Sequence, residues 1–238
     1  MAFVLTQTEP VAAGIRRLAA EQLDLALAEL EDGEGDPDEH VHETRKCMKR
    51  LRAVALLARS ALGDEVWRLE NACYRDAALQ LAGARDATAL LEALEALGGA
   101  SGTGRRRPRF ATVDRWLRER REALRAAPGG EGAARQRVVN DLRWARRRVA
   151  EWPLEEATWR TLEAGVRRVY RRGRAGLAHS LDQPDDAVFH DWRKWAKYQW
   201  YHTQLLRDTW PALMTPLADQ FDELGDLLGQ DHDLTGLR

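Results

Sequence analysis

The sequence predicts an all-α protein built from helical bundles, and three observations lead there. Apolar residues recur at helical spacing almost throughout, with no convincing two-residue alternation. Glycine- and proline-rich breaks ("EDGEGDPDEH", "GGASGTGRRRPR", "APGGEG" and "SLDQPDD") separate the periodic stretches. The pattern H-x-x-R-K-x-x-K occurs twice, in "HETRKCMKRLR" from His42 and in "HDWRKWAKYQW" from His190.

In chain order, helices are expected over 10–31, 38–61, 64–82, 85–98, 110–127, 131–151, 154–181, 186–209 and 213–229. Asp38 and either Asp185 or Asp186 are the expected N-caps of the two motif helices, with Pro37 and Pro184 just upstream. The repeat extends beyond the motif. "GIRRL" at 14–18 matches "GVRRV" at 165–169, and "LAGARDATAL" at 81–90 matches "LLGQDHDLTGL" at 227–237. Three matches in the same order indicate an internal duplication. Two antiparallel helical bundles are expected, 1–104 and 105–238, related by a pseudo-twofold axis that brings the two histidine helices face to face. The second half stops where its counterpart continues, so a further C-terminal helix is expected beyond Arg238.

Composition narrows the function. The 238 residues can bury a real core, and 32% charged residues with 44% hydrophobic ones describe a soluble chain rather than a disordered one. No apolar run approaches the roughly 18 residues a membrane helix needs, and the N-terminus lacks a leader pattern, so a cytoplasmic protein is expected. Cys47 and Cys73 sit among apolar neighbours and read as small buried hydrophobes, not as a disulfide or a metal site. Net charge is -1, yet the ends are acid-rich and the stretch from Arg105 to Arg174 is dominated by arginine. A chain that is neutral overall and locally basic suits an anion held at a defined place.

On a helical wheel, Arg45, Lys46 and Lys49 fall within about 60° of His42, and Arg52 lies about 80° to one side. Cys47, Met48, Leu51, Val54, Ala55 and Ala58 fall opposite. The second motif aligns His190, Arg193, Lys194, Lys197 and Tyr201, with Trp200 where the first has Arg52. Neither stripe contains an acid, since Glu43 and Asp191 point sideways. Like charges three or four residues apart cost roughly 0.2–0.5 kcal/mol per pair, so an anion from outside is expected to relieve them. The bland alternative is a solvated helix face. Arg167, Tyr170, Arg171 and Arg174 share one side of "VRRVYRRGR", Arg16 matches Arg167, and Arg85 and His232 precede matching aspartates. For Arg85 and His232, an exposed place beside a capping aspartate is an equal alternative to an anion role.

These motifs resemble the CHAD domain, the histidine-containing α-helical domain of bacteria and some other lineages. The H-x-x-R-K-x-x-K helix in both halves, "VYRRGRAGL" before the second histidine and "LGQDHD" after it carry the resemblance, which covers nearly the whole chain. It implies two pseudosymmetric helical bundles flanking a central basic cavity or pore that binds inorganic polyphosphate. It also implies association with polyphosphate granules and their proteins, and frequent fusion to a triphosphate-tunnel domain. The E-x-E-x-K strand of that partner is absent, so a stand-alone member is expected. Trp200 in place of a cation and the unusually basic linker at 99–109 depart from the pattern.

The ligand fits the chemistry. Arginine offers forked hydrogen bonds to phosphate oxygens and lysine a mobile point charge. Tyr170 and Tyr201 offer hydroxyls. His42 and His190 can donate while neutral or gain charge beside an anion, unless they serve the core by bonding a backbone carbonyl. Nucleic acid is the first competing partner, given nine tryptophans and "GRRRPR", although Trp192 and Trp195 lie off the stripe. A metal-dependent phosphohydrolase is the second. It needs carboxylates beside the cations or inward-facing E-x-x-H pairs, and "DEHVH" with His40 and His42 provides neither. No catalysis, cofactor or metal is expected.

Overall fold

A computed structural model describes residues 2–32, 34–82, 88–95, 108–126 and 131–236. The described residues are helical with turns between, and no strand occurs among them. In chain order the helices are α1 (Val11–Glu31), α2 (Pro37–Leu57), α3 (Arg59–Gln80), α4 (88–95), α5 (Pro108–Ala126) and α6 (Glu131–Val149). They continue with α7 (Trp159–Asp182), α8 (Asp186–Leu205) and α9 (Pro211–Gly236).

Helix ends differ from the sequence reading for local reasons. Asp36 rather than Asp38 caps α2, its carboxylate accepting from the Asp38 amide at 3.0 Å with Pro37 in the first turn. Asp185 caps α8 as expected, through the Ala187 amide at 2.8 Å. The helix expected from 154 begins at 159, because Trp152 and Leu154 turn into the core and Thr158 closes a capping box with Thr161. α8 ends at Leu205, and 207–209 form a single tighter turn. α9 runs on to 236 through Gly225 and Gly229, where a break had been expected near 229.

α1, α2, α3 and α6 share the main core, in which Ile15, Leu18, Leu23, Met48, Leu51, Tyr74 and Leu142 are buried. Each full burial of a large aliphatic side chain contributes roughly 1.5–3 kcal/mol before ordering costs. Although α6 lies beyond residue 104, it packs on α1 and α3. Its arginines explain why. Arg135 binds the carbonyls of Leu30 and Asp32 at the end of α1, Arg143 pairs with Glu31 at 2.9 Å and Arg146 with Asp24 at 2.7 Å. Arg148 grips the fully buried Glu70 of α3 with two bonds, 2.7 and 3.0 Å. Much of the arginine-rich stretch, read as an anion holder, is thus engaged by the acid-rich N-terminal region.

α7, α8 and α9 pack in sequence order, as α1, α2 and α3 do. The two groups meet where α2 touches α7 and α8, around Ala53, Leu56, Val169, Tyr198 and Tyr201. Buried His202 on α8 donates from Nε2 to the Ala53 carbonyl of α2 at 3.0 Å. A Cβ at Gly165 would stand 2.3 Å from the Leu57 carbonyl oxygen, so only glycine lets α7 lie against the end of α2. α4 and α5 form a small separate contact through Leu91, Leu94 and Leu117. Cys47 is buried and Cys73 half-buried, and both are free thiols. Among the described residues, no helix is long and apolar enough to cross a membrane.

Candidate functional site

α2 and α8 carry the two motif stripes away from the main core because Cys47, Met48, Leu51 and Val54 of one, and Ala196, Tyr198 and Leu205 of the other, turn inward. On α2, His42 and Lys49 are exposed, while Arg45, Lys46 and Arg52 are half-buried. Lys46 Nζ donates to Glu43 Oε1 at 3.1 Å, and His42 Nε2 lies 4.0 Å from the same oxygen. Arg52 donates to Asn71 of α3 at 3.0 Å and stands 6.0 Å from the centre of the Tyr198 ring.

On α8, Lys194 bonds to Asp191, and Lys197 lies between two carboxylates of α9, 3.5 Å from Asp222 and 3.4 Å from Asp226. The expectation of acid-free stripes is therefore corrected. Glu43 and Asp191 do leave the helix sideways, yet a lysine three residues on reaches back to each. The motif helices meet through Ala53, Leu56, Tyr198 and His202, while Arg193 and Lys197 turn against α9. Gly225 and Gly229 make that possible: a Cβ on Gly225 would lie 2.8 Å from Lys197 Nζ, and one on Gly229 would lie 3.2 Å from an Arg193 nitrogen. Exposed His190 meets His232 of α9 with ring centres 4.6 Å apart. Partial burial and the neighbouring His232, Arg193 and Lys194 hold the His190 pKa below its ordinary value.

Two expected ligand groups are engaged within the fold. Tyr201 is buried at 4% exposure, edge-on to Phe3 and beside Trp200, and burial pushes its phenol up to about 12. A wheel places it on the cationic arc, but α2 and the N-terminal segment cover this end of α8. Arg16 bonds to the Trp152 carbonyl at 2.5 Å and to Glu155 at 2.6 Å, which fastens the turn before α7 to α1. Arg85 lies outside the described residues. His40, set aside as a metal ligand, bonds to Glu29 at 2.7 Å and the Glu34 carbonyl at 2.6 Å, and Glu29 raises its pKa.

A row of cations with few carboxylate partners among the described residues lies on α7. Arg167 pairs with Glu163 one turn back, but among the described residues Arg168, Arg171, Arg172 and Arg174 make no ion pair. Two shallow depressions run along this face. One, of about 550 Å³, is lined by Arg167, Tyr170, Arg171, Arg174 and Ala175; the other, of about 530 Å³, adds Arg168 and Arg172. Burial and the nearby Arg59 lower the Arg168 pKa against the opposing pull of Asp64. Arg172 stands 5.8 Å from the Trp195 ring centre, and Arg174 stands 6.0 Å from that of Tyr170. The sequence reading included Arg167, Tyr170, Arg171 and Arg174 but missed Arg168 and Arg172. Counting acids along the helix would have found them, since between Glu163 and Asp182 there is none. The arrangement offers phosphate-like oxygens several forked donors on one rigid rod. Among the described residues, no group of three or more His, Cys, Asp or Glu side chains is placed to hold a metal.

Neither a curated protein nor a solved structure matches the chain. The family model described as CHAD domain matches residues 17–238, nearly the entire length, and the protein therefore belongs to the CHAD domain family.

Proposed function

We propose that this protein binds inorganic polyphosphate, without catalysis, along the arginine face of α7 and the adjoining cationic stripes of α2 and α8. The observation that carries this reading is the row of Arg168, Arg171, Arg172 and Arg174, none of which makes an ion pair among the described residues. Polyphosphate carries about one negative charge per phosphate and has no bases to read, so spaced forked donors suit it better than a shaped pocket does. Family membership supports the same ligand. His42, Arg45, Lys46, Lys49 and Arg52 of α2 join the proposed surface, with His190, Arg193, Lys194 and Lys197 of α8.

The proposal extends to architecture. The chain comprises two pseudosymmetric repeats, 1–104 and 105–238, flanking a basic cavity; the matching neighbour order of α1–α2–α3 and α7–α8–α9 supports it. Its place is the cytoplasm at polyphosphate granules, with granule proteins as further partners. The carboxylates nearest the stripes, Glu43, Asp191, Asp222 and Asp226, are engaged by lysines, which supports binding rather than turnover.

The test compares long-chain polyphosphate, tripolyphosphate and single-stranded DNA at equal charge and over a series of salt concentrations. Long polyphosphate should bind tightest, with log affinity falling linearly against log salt. Preference for the DNA would move the reading to nucleic acid, and no binding to any of the three would end it.

A further inference from the structure

The stripe on α8 is not open to a ligand as it stands. Lys197 lies within 3.5 Å of Asp222 and 3.4 Å of Asp226 of α9, spaced one helical turn apart. Gly229, one turn from Gly225 on the same face, receives the Arg193 guanidinium, whose Nε is buried with no hydrogen-bond partner. His232 stacks on His190. α9 therefore presents to α8 a row of carboxylates and gaps matched to the His190–Arg193–Lys197 register, and occupies the place a polyanion would take.

α9 packs closely along α8, but apolar burial contributes little to that contact. Among its described residues only Ala218 and Leu228 are buried hydrophobics, while Leu213, Leu217, Leu227 and Leu234 are 37–58% exposed. α3, which packs on the other motif helix, buries Leu62, Tyr74 and Ala77 and is anchored by Glu70 to Arg148. An element with few buried apolar contacts sits at the low-stability end of a fold and opens first. A polyphosphate can replace both carboxylates at Lys197 with its own anionic oxygens and add forked bonds to Arg193.

We propose that α9 is an autoinhibitory strap, whose Asp222 and Asp226 act as an internal mimic of the polyanion and must be displaced before Arg193 and Lys197 engage ligand. This rests on the polyphosphate reading above. It predicts two classes of cation: the α7 arginines meet the polymer first, and the α8 stripe joins only when enough phosphate is present to lift α9. Short phosphates, unable to span both surfaces, leave α9 in place.

The experiment measures binding of long-chain polyphosphate and of tripolyphosphate to the full chain and to D222N/D226N, with E151Q/E223Q as a charge-matched control. Glu151 and Glu223 are exposed and make no ion pair among the described residues. The strap predicts affinity for long polyphosphate about fivefold tighter in D222N/D226N, from the loss of two weak competing pairs, and little change in the control. Equal gains in both variants would reduce the effect to net charge and overturn the proposal. Hydrogen exchange gives a second readout: long polyphosphate should speed exchange of the α9 amides in the wild type, and slowed exchange there would overturn it. Wild-type binding with no gain in D222N/D226N sinks the strap alone, whereas absence of binding in every variant sinks the polyphosphate reading and the strap with it.

Discussion

Helices α6 and α7 each carry six arginines, and the two sets meet opposite fates. Only Arg167 of α7 pairs within its own helix among the described residues, with Glu163. The difference lies in the neighbours. α6 lies on α1, whose outer side supplies Asp24, Glu31 and a run of terminal carbonyls, and on α3, which supplies Glu70. α7 lies on α8, which turns Trp192 and Trp195 towards it, and near Arg59 of α3. Arginine density alone therefore does not mark a ligand surface. On α6 most of the guanidinium groups bind the fold together, whereas on α7 Arg171, Arg172 and Arg174 make no ion pair among the described residues.

The largest effect expected from this contrast comes from Arg148. Its bidentate partner Glu70 is fully buried, with the Trp152 indole 3.5 Å from the same carboxylate. Glu70 favours the charged arginine so strongly that the Arg148 pKa is raised. Substituting Arg148→Met leaves a buried carboxylate uncompensated, which costs roughly 3–5 kcal/mol. Urea unfolding should show that loss, while polyphosphate affinity of the folded variant stays at the wild-type value. A loss below about 1 kcal/mol would mean that the α6 pairs are as dispensable as surface pairs.

A pH titration separates the same two roles. Complete burial holds the His202 pKa down to about 4, below its ordinary 6.5, and the Ala53 carbonyl offsets this only in part. Between those values the unfolded chain binds the proton and the folded one does not. The contribution of neutral His202 is thus fully present above pH 6.5 and is lost as pH falls towards 4, at up to about 1.4 kcal/mol per unit. Chemical denaturation across pH 7 to 4 should show this slope, and His202→Asn should flatten it. The R171A/R174A contribution to affinity rests on guanidinium–phosphate contacts and should not follow it. A slope unchanged in the His202 variant would place the acid sensitivity elsewhere.

How far the sequence disclosed these roles depends on the range of the interaction. The all-α class, most helix spans and the Asp185 cap follow from local rules, and the structure keeps them. What failed required knowledge of neighbours. A wheel drawn for α8 alone puts Tyr201 beside His190 and Lys197, and only the approach of α2 and the N-terminal segment buries it. Glycine at 229 reads as a stop, but with Arg193 and Lys197 lying across that face a smaller surface on α9 is what packing requires. The pairing of an acid-rich N-terminus with an arginine-rich middle was visible as composition, yet nothing in composition says that α1 and α6 touch. Glu70 and His202, both deeply buried, lie in otherwise unremarkable helical patterns and gave no signal.

The smallest effects provide the most direct test of the contrast, because they compare like with like. Arg146 on α6 and Arg171 with Arg174 on α7 are all solvent-accessible, and all can be truncated without opening a cavity. Arg146→Ala breaks a bidentate pair with Asp24, of the partly exposed kind that contributes about 0–1 kcal/mol. It should therefore lower stability slightly and leave polyphosphate binding unchanged. R171A/R174A should do the reverse. Stability should stay within about 0.5 kcal/mol or rise, since the change relieves like-charge repulsion along one helix face. Affinity for long polyphosphate should fall about tenfold, and the slope of log affinity against log salt should shrink by nearly two, one for each phosphate contact removed. If both variants reduced the salt slope equally, the guanidinium groups of α6 would be sampling the polymer too. The division between arginines that hold the fold and arginines that hold a ligand would then be one of degree, set by how readily polyphosphate competes with Asp24 and Glu31.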